Sequence, residues 1–388
     1  MQKRVMGRRL MNLASGVAAF AAVATLGCAN DENAPETSPS AEASLQTRAL
    51  AVRASGPCDI YGAAGTPCVA AYSMVRALSK NYGGPLYQVR NGSSSMNTGT
   101  GGTTKDIGMT SDGYADTATQ DSFCLGSICT VSVLYDQSGN GNNLRVAPAG
   151  VNGIGSHTGL PDYESSATKG IITAGGHRVY SLYMSRYEGY RTAVGVKGRG
   201  MPTGSAAQGT YELADGTHAG TACCWDFGNV STDPKVYHTM NALFFGTAFW
   251  GRGAGAGPWM MADFEAGVWA GGSKPGDPGW GGLNDPHPLN PSNPSLKVPF
   301  ALGFLKTSAT QYALRMADAK TASVVTTAYI GPLPKVLDNQ GGIVLGVASD
   351  NSNESWGTFY EGAIVSGYPS NATEQSVLQN IQAVGYTK

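Results

Sequence analysis

Charge is scarce in this sequence. Only 14% of its 388 residues are Asp, Glu, Lys or Arg, and the formal balance is −1; an average soluble domain carries about 25% charged residues. A chain so poor in cations lacks the basic footprint that phosphate-backbone binding needs, so no nucleic-acid partner is expected. Histidine is scarcer still. His157, His177, His218, His238 and His287 show no HExxH or other ligand spacing, and no CxxC pair accompanies them. Neither a metal nor a cofactor is therefore expected. A GxSxG elbow, a Walker loop and a dinucleotide fingerprint behind a strand are also missing. Beyond the N-terminal segment no apolar run approaches the roughly 18 residues that span a bilayer. No repeat of solenoid or propeller period is found, and the glycines keep no Gly-X-Y spacing, which excludes collagen.

Glycine and tyrosine are abundant, at 54 and 18 residues. With many short apolar alternations and few helical periods, they read as an all-β chain rich in turns. Residues 1–28 read as an export signal: Lys3, Arg4, Arg8 and Arg9 precede an apolar run from Met11 to Leu26. Thr25-Leu26-Gly27-Cys28 resembles a bacterial lipobox with Cys28 as the lipid-bearing residue, although Thr25 stands where Leu is favoured. The competing reading is an ordinary cleaved signal or a retained anchor. Either way the protein is expected outside the cytoplasm, extracellular or held by that lipid to a bacterial outer membrane. Residues 29–55, rich in Ala, Ser, Glu, Pro and Thr, read as a flexible tether. Residues 56–388 read as one domain, expected to be monomeric.

Without Cys28, six cysteines remain as three close couples: Cys58 with Cys68, Cys124 with Cys129, and adjacent Cys223 with Cys224. Local disulfides are the expectation for an exported chain, among 15 pairings that six cysteines allow. A helix is predicted over 67–82. Strands are predicted over 86–90, 129–135, 178–184, 211–214, 241–249, 300–305, 311–316, 324–330, 343–348 and 357–365, with a closing helix over 374–383. The stretch 271–297, rich in Pro, Gly and Asn, is expected as a polar loop.

One strand organises the chemistry. In Gly251–Gly272, alternation places Trp259, Met261, Asp263 and Glu265 on one face, and Met260, Ala262, Phe264, Ala266 and Val268 on the other. Two acids beside Trp and Met suggest a lined cleft; the competing reading is an edge strand whose acids discourage aggregation. Aromatic-lined carboxylates on an all-β frame suit glycosidic cleavage, which commonly needs one protonated and one ionised carboxyl. Asp350, where the strand over 343–348 ends, is a third candidate, competing with a plain turn residue. Glu361, Asp136 and Asp226 read as structural acids.

The stretches GPCDIYGAAGTPCVAAYSMVRAL, YDQSGNGNNL, ACCWDFGN, GPWMMADFEAG and SDNSN…WGTFYEGAIVSGYPS resemble the catalytic domain of family-54 α-L-arabinofuranosidases, in order and over nearly all of 56–386. The resemblance implies a β-sandwich of jelly-roll type and a retaining exo-glycosidase releasing terminal α-L-arabinofuranose from arabinan, arabinoxylan and related plant polysaccharides. By motif, Glu265 would be the nucleophile and Asp350 the general acid/base, their carboxyls about 5–5.5 Å apart as retention requires. Asp263 would bind sugar hydroxyls, Trp250 and Met240 would line the sugar site, and Cys223–Cys224 would form a vicinal disulfide against the sugar. The alternative there is two longer-range bridges, or free thiols. Two positions depart from the family: Ala266 stands where Asn usually follows the nucleophile, and Ser349 where Gly usually precedes the acid/base. These departures give weight to a competing expectation, a non-catalytic carbohydrate-binding protein on the same sandwich. Another exo-glycosidase specificity, such as β-xylosidase or galactofuranosidase, is a weaker one. Fungal members also carry a C-terminal arabinose-binding module, for which this chain is expected to have no room after Lys388.

Overall fold

A computed structural model describes residues 53–151, 157, 159–236, 240–247, 250–265, 267–283 and 286–388. The export segment with Cys28, most of the tether and Ala266 lie outside these residues.

Two antiparallel sheets carry the fold. The seven-stranded sheet runs Cys68–Ser73, Gly357–Ser366, Gln208–Ala219, Ala301–Thr307, Gln311–Asp318, Thr326–Pro332, and Leu182–Met184 pairs onto Gly357–Ser366. The ten-stranded sheet runs Val268–Trp269, Trp259–Asp263, Met240–Gly246, Asp226–Val230, Gly342–Leu345, Tyr190–Arg191, Leu144–Val146, Cys129–Leu134, Tyr87–Asn91, Thr103–Ile107. The sheets stack as a β-sandwich of jelly-roll type. Phe227 meets Phe359 and Tyr72 edge-on, and Leu243, Met260 and Leu345 share the same core. Each such side chain, fully buried, contributes about 1.5–3 kcal/mol of transfer free energy.

The region predicted as a helix over 67–82 is instead the strand Cys68–Ser73, with Tyr72 opposite Gly362. All six of its residues are buried. An apolar run buried on both faces has no period of two, so its pattern does not separate strand from helix. The helix lies earlier, at Pro57–Ala63. Pro57 opens it, and the Asp59 carboxylate accepts the Gly56 amide at 2.8 Å. The strand predicted over 178–184 is two: His177–Tyr180 pairs Ile171–Ala174 in a hairpin, and Leu182–Met184 joins the seven-stranded sheet.

The loop expected to be too polar for the interior is anchored by buried asparagines. Asn293 Nδ2 donates to the carbonyls of Met260 (2.8 Å) and Ala270 (3.1 Å), and Asn290 Nδ2 to that of Ala270 (2.8 Å). A buried amide that satisfies main-chain carbonyls is as much a core element as a leucine. The loop thus clips the end of the strand Trp259–Asp263. The closing helix, Asn371–Val384, covers the outside of the other sheet. The Ser370 hydroxyl caps its start, and Gly385 ends it in the left-handed region.

Candidate active site

The ten-stranded sheet turns one face away from the sandwich core. Met240, Ala242, Phe244, Met261 and Val344 form a second apolar cluster there with Cys224, and Cys223 and Trp250 pack against it. Strand register puts Asp263 opposite Ala242 and Asp226 opposite Phe244, so both carboxyls stand on this outer face. The couples Cys58–Cys68, Cys124–Cys129 and Cys223–Cys224 are each joined as disulfides.

Alternation holds from Trp259 to Asp263 and then stops. Met260, Ala262 and Phe264 enter the main core, while Trp259 and Met261 face outward. Glu265 does not prolong that face as a strand residue. Its φ is +59°, a left-handed conformation that few non-glycine residues adopt. The chain doubles back, Val268 comes to lie opposite Asp263, and its side chain joins the outer cluster rather than the core. At this turn Asp263 Oδ1 accepts the Glu265 amide at 2.7 Å. The turn therefore aims Glu265 by its backbone, with Asp263 as the brace.

Asp350 arrives from the other side, on the loop after the strand Gly342–Leu345. Gly346 donates to the Asp226 carbonyl at 2.8 Å, and Glu354 to that of Cys223 at 3.2 Å, which ties this loop to the disulfide. Ser352 N donates to Asp350 Oδ1 at 2.9 Å. The Ser349 hydroxyl is engaged below the loop, 2.7 Å from that of Ser231.

Burial sets the electrostatics. Asp226 and Asp263 are both held well above the usual carboxylate range, first by desolvation and then by carboxyl neighbours: Asp263, Glu265 and Asp350 around Asp226, and Glu265 and Asp350 around Asp263. Asp226 is the member whose charge would be least compensated. Neither of its oxygens has a partner among the described residues, whereas Asp263 holds the Glu265 amide and faces Lys335. The Lys335 ammonium is half buried, and desolvation lowers its pKa against the opposing pull of Glu265 and Asp263. One sulfur completes the group: Cys224 Sγ and oxygens of Asp226 and Asp263 lie within 4.8 Å of one another. With that sulfur bonded to Cys223, it is no thiolate ligand, and two carboxyls remain.

The structure thus gathers Asp263, Glu265 and Asp350 with Cys223, Cys224, Met240 and Trp250, and seats Ser349 beneath the acid-bearing loop. Sequence reading missed two members. The sequence reads Asp226 as structural; it opens the strand Asp226–Val230, and the fold brings it beside Cys224 and Asp263. Lys335, between Pro334 and Val336, carries no local signal. A depression of about 640 Å³, lined in part by Ser127, Thr130, Lys169 and Glu188, shares none of these residues. Volume is thus a poorer guide here than converging acids.

Residues 57–387 match the family described as alpha-L-arabinofuranosidase B, catalytic. The chain belongs to that family. It is 42% identical over 341 residues to an alpha-L-arabinofuranosidase of Hypocrea jecorina, covering 86% of this chain and 63% of that protein. An arabinofuranosidase/β-xylosidase of Trichoderma koningii matches to the same extent, again 42% over 341 residues. The chain thus spans 63% of the length of these relatives. Among solved structures, an arabinofuranosidase complexed with arabinofuranosyl-α-1,2-xylobiose superposes with a TM-score of 0.75 at 39% identity, over 86% of this chain and 66% of that one. A family-54 α-L-arabinofuranosidase soaked with a cyclic sulfate inhibitor gives the same TM-score and coverage. Arabinofuranosidase family membership accounts for the sandwich and the order of the motifs. No helix of the described residues is long and apolar enough to cross a membrane.

Proposed function

We propose that the chain is a retaining exo-α-L-arabinofuranosidase acting on terminal arabinofuranosyl groups of plant polysaccharide side chains. The observation that carries this reading is the convergence of Asp263, Glu265 and Asp350, from two separate chain segments, on one half-enclosed face beside Trp250 and the Cys223–Cys224 disulfide. Glu265, aimed by the turn, attacks the anomeric carbon and forms a glycosyl ester. Asp350 protonates the departing oxygen, then takes the proton of the water that hydrolyses the ester. Asp263 accepts from sugar hydroxyls, and the disulfide and Trp250 pack against the ring. Burial favours this chemistry, because hydrogen bonds and charges act more strongly where water is excluded.

An assay with 4-nitrophenyl α-L-arabinofuranoside tests the reading. Release of nitrophenol is expected, with most of it lost in Glu265→Gln; binding without release would replace the enzyme by a lectin. The name of the Trichoderma koningii relative supports including the β-xyloside in the same panel. We further take residues 1–28 as an export signal, 29–55 as a tether and 56–388 as a monomeric catalytic domain. Mass spectrometry of the mature N-terminus distinguishes an acylated Cys28 from simple cleavage.

A further inference from the structure

Beneath the loop that carries Asp350 lies a second carboxyl, Asp162, that takes no part in the chemistry above. It is fully enclosed, and its amide donates to the Ala147 carbonyl at 2.9 Å. Its Oδ1 accepts two side-chain amides, Asn351 Nδ2 at 3.2 Å and Asn353 Nδ2 in closer contact. These two asparagines sit one and three residues beyond Asp350. Asn351 is left-handed, with φ +69°, which turns the chain sharply right after the acid. On the other flank, buried Arg191 donates to the carbonyls of Ser349 (2.9 Å) and Ser231 (2.7 Å). The loop is therefore held at the positions immediately before and after Asp350.

Two glycines let this support approach. A Cβ at Gly189 would stand 2.2 Å from Asp162 Oδ2, and one at Gly150 would stand 2.1 Å from the Asp350 carbonyl oxygen. The arrangement also has a cost in stability. Asp162 Oδ2, Asn351 Oδ1 and Asn353 Oδ1 are buried without partners among the described residues. Unsatisfied enclosed oxygens destabilise a fold, so a cluster that retains three of them beside a reacting group points to placement rather than stability.

We propose that Asp162 is a positioning residue for Asp350, fixing the acid's carboxyl through Asn351 and Asn353. The inference rests on the reading of Asp350 as the acid/base. The part played by Asp162 is that of an acceptor. Burial raises its carboxyl to about 8, with Glu188 raising it further and Asn353, Asn351 and Arg191 opposing, so the neutral acid prevails below that pH. Neutral Asp162 still offers Oδ1 to both asparagines, and an amide in its place would do the same.

A general acid matters in proportion to how poorly the leaving group departs by itself, and this gives a readout that general structural damage would not move. We would measure kcat/KM for 2,4-dinitrophenyl and unsubstituted phenyl α-L-arabinofuranosides with the full chain and with Asp162→Ala, Asp162→Asn, Gly189→Ala and Asp350→Asn. In Asp162→Ala the phenyl substrate should slow on the order of 10²-fold, the loss that a displacement of about 1 Å can cause. The dinitrophenyl substrate should change little. Asp162→Asn should stay near the parent on both. Gly189→Ala, which pushes on Asp162 Oδ2 without removing it, should reproduce the split where Asp162→Ala does not fold. Equal slowing of both substrates, or of neither, in the variants that fold would overturn the inference. Asp350→Asn separates the two readings. If it shows no leaving-group dependence, the acid/base assignment itself falls; if it does and the Asp162 and Gly189 variants do not, only the positioning role falls.

Discussion

The outer faces of the two sheets treat buried charge in opposite ways. On the seven-stranded sheet, under the helices, the buried acids Glu361 and Glu374 each meet a cation. Arg76 Nε and Nη2 donate to the two Glu361 oxygens at 2.7 and 2.8 Å, with Tyr386 Oη on the same carboxylate at 2.6 Å. Arg315 and Lys306 both pair with Glu374. On the ten-stranded sheet Asp226, Asp263, Glu265 and Asp350 crowd together with the half-buried Lys335. The first arrangement is what a fold requires once charges are inside. The second destabilises the fold; on the proposed function it persists because the chemistry needs carboxyls in different protonation states within one sugar's reach. Removal of one acid should therefore have opposite consequences on the two faces.

The largest effect sharpens that contrast directly. Glu265→Gln should remove most turnover and leave the melting temperature unchanged or raised. Glu361→Gln should leave kcat/KM of the folded enzyme unchanged while costing about 3–5 kcal/mol, because it strands the buried Arg76 guanidinium. Denaturant unfolding beside the nitrophenol assay reads both. Loss of stability in the first, or of turnover in the second, would erase the distinction.

The next effect is in pH. Desolvation raises Asp162 to about 8 and Glu188 to about 7, and both stay protonated in the fold where the unfolded chain has released the proton. A raised folded pKa makes its stabilising contribution fully below the unfolded value, near 4. That contribution is lost as pH rises toward 7 for Glu188 and 8 for Asp162. Each group then lowers stability by up to about 1.4 kcal/mol per pH unit in that window. Thermal unfolding should thus shift downward from pH 5 to pH 8, with a shallower slope in Asp162→Asn. A stability that rises over this range would contradict the electrostatic account.

A smaller change is expected from Asp226→Asn, which mimics the protonated acid. It should raise stability at pH 7 by removing the need to take up a proton on folding, read as a higher melting temperature. The smallest belongs to Ser349→Gly, which restores the residue usual in the family. Its hydroxyl contact with Ser231 is worth about 0.5–1.5 kcal/mol, so a slight loss of stability should accompany an unchanged kcat/KM.

Strand alternation was legible where one face is buried and the other is not. It assigned Trp259, Met261 and Asp263 correctly to the outer face and Met260, Ala262 and Phe264 to the core. It failed at Val268, because the chain doubles back after the left-handed Glu265 and nothing local announces that turn. It failed at 67–82, where burial on both sides leaves no period to read. Asp226 reads as structural from the sequence because its nearness to Asp263 comes from strand pairing, not from spacing. Lys335 lies 72 residues beyond Asp263, and Asp162 lies 188 residues before Asp350, separations that only the fold can bring together. The motif resemblance supplied Asp350 and its division of labour with Glu265, which composition and spacing alone left open.

The central claim is that Glu265, on the face crowded with acids, forms the covalent bond to the sugar. Incubation of the enzyme with an arabinofuranose-configured cyclic sulfate, followed by peptide mapping, tests it most directly. The account predicts a single adduct on the peptide bearing Glu265, absent from Glu265→Gln and retained in Glu361→Gln. An adduct on Asp263 or Asp350 in the parent enzyme, with Glu265 unmodified, would contradict it.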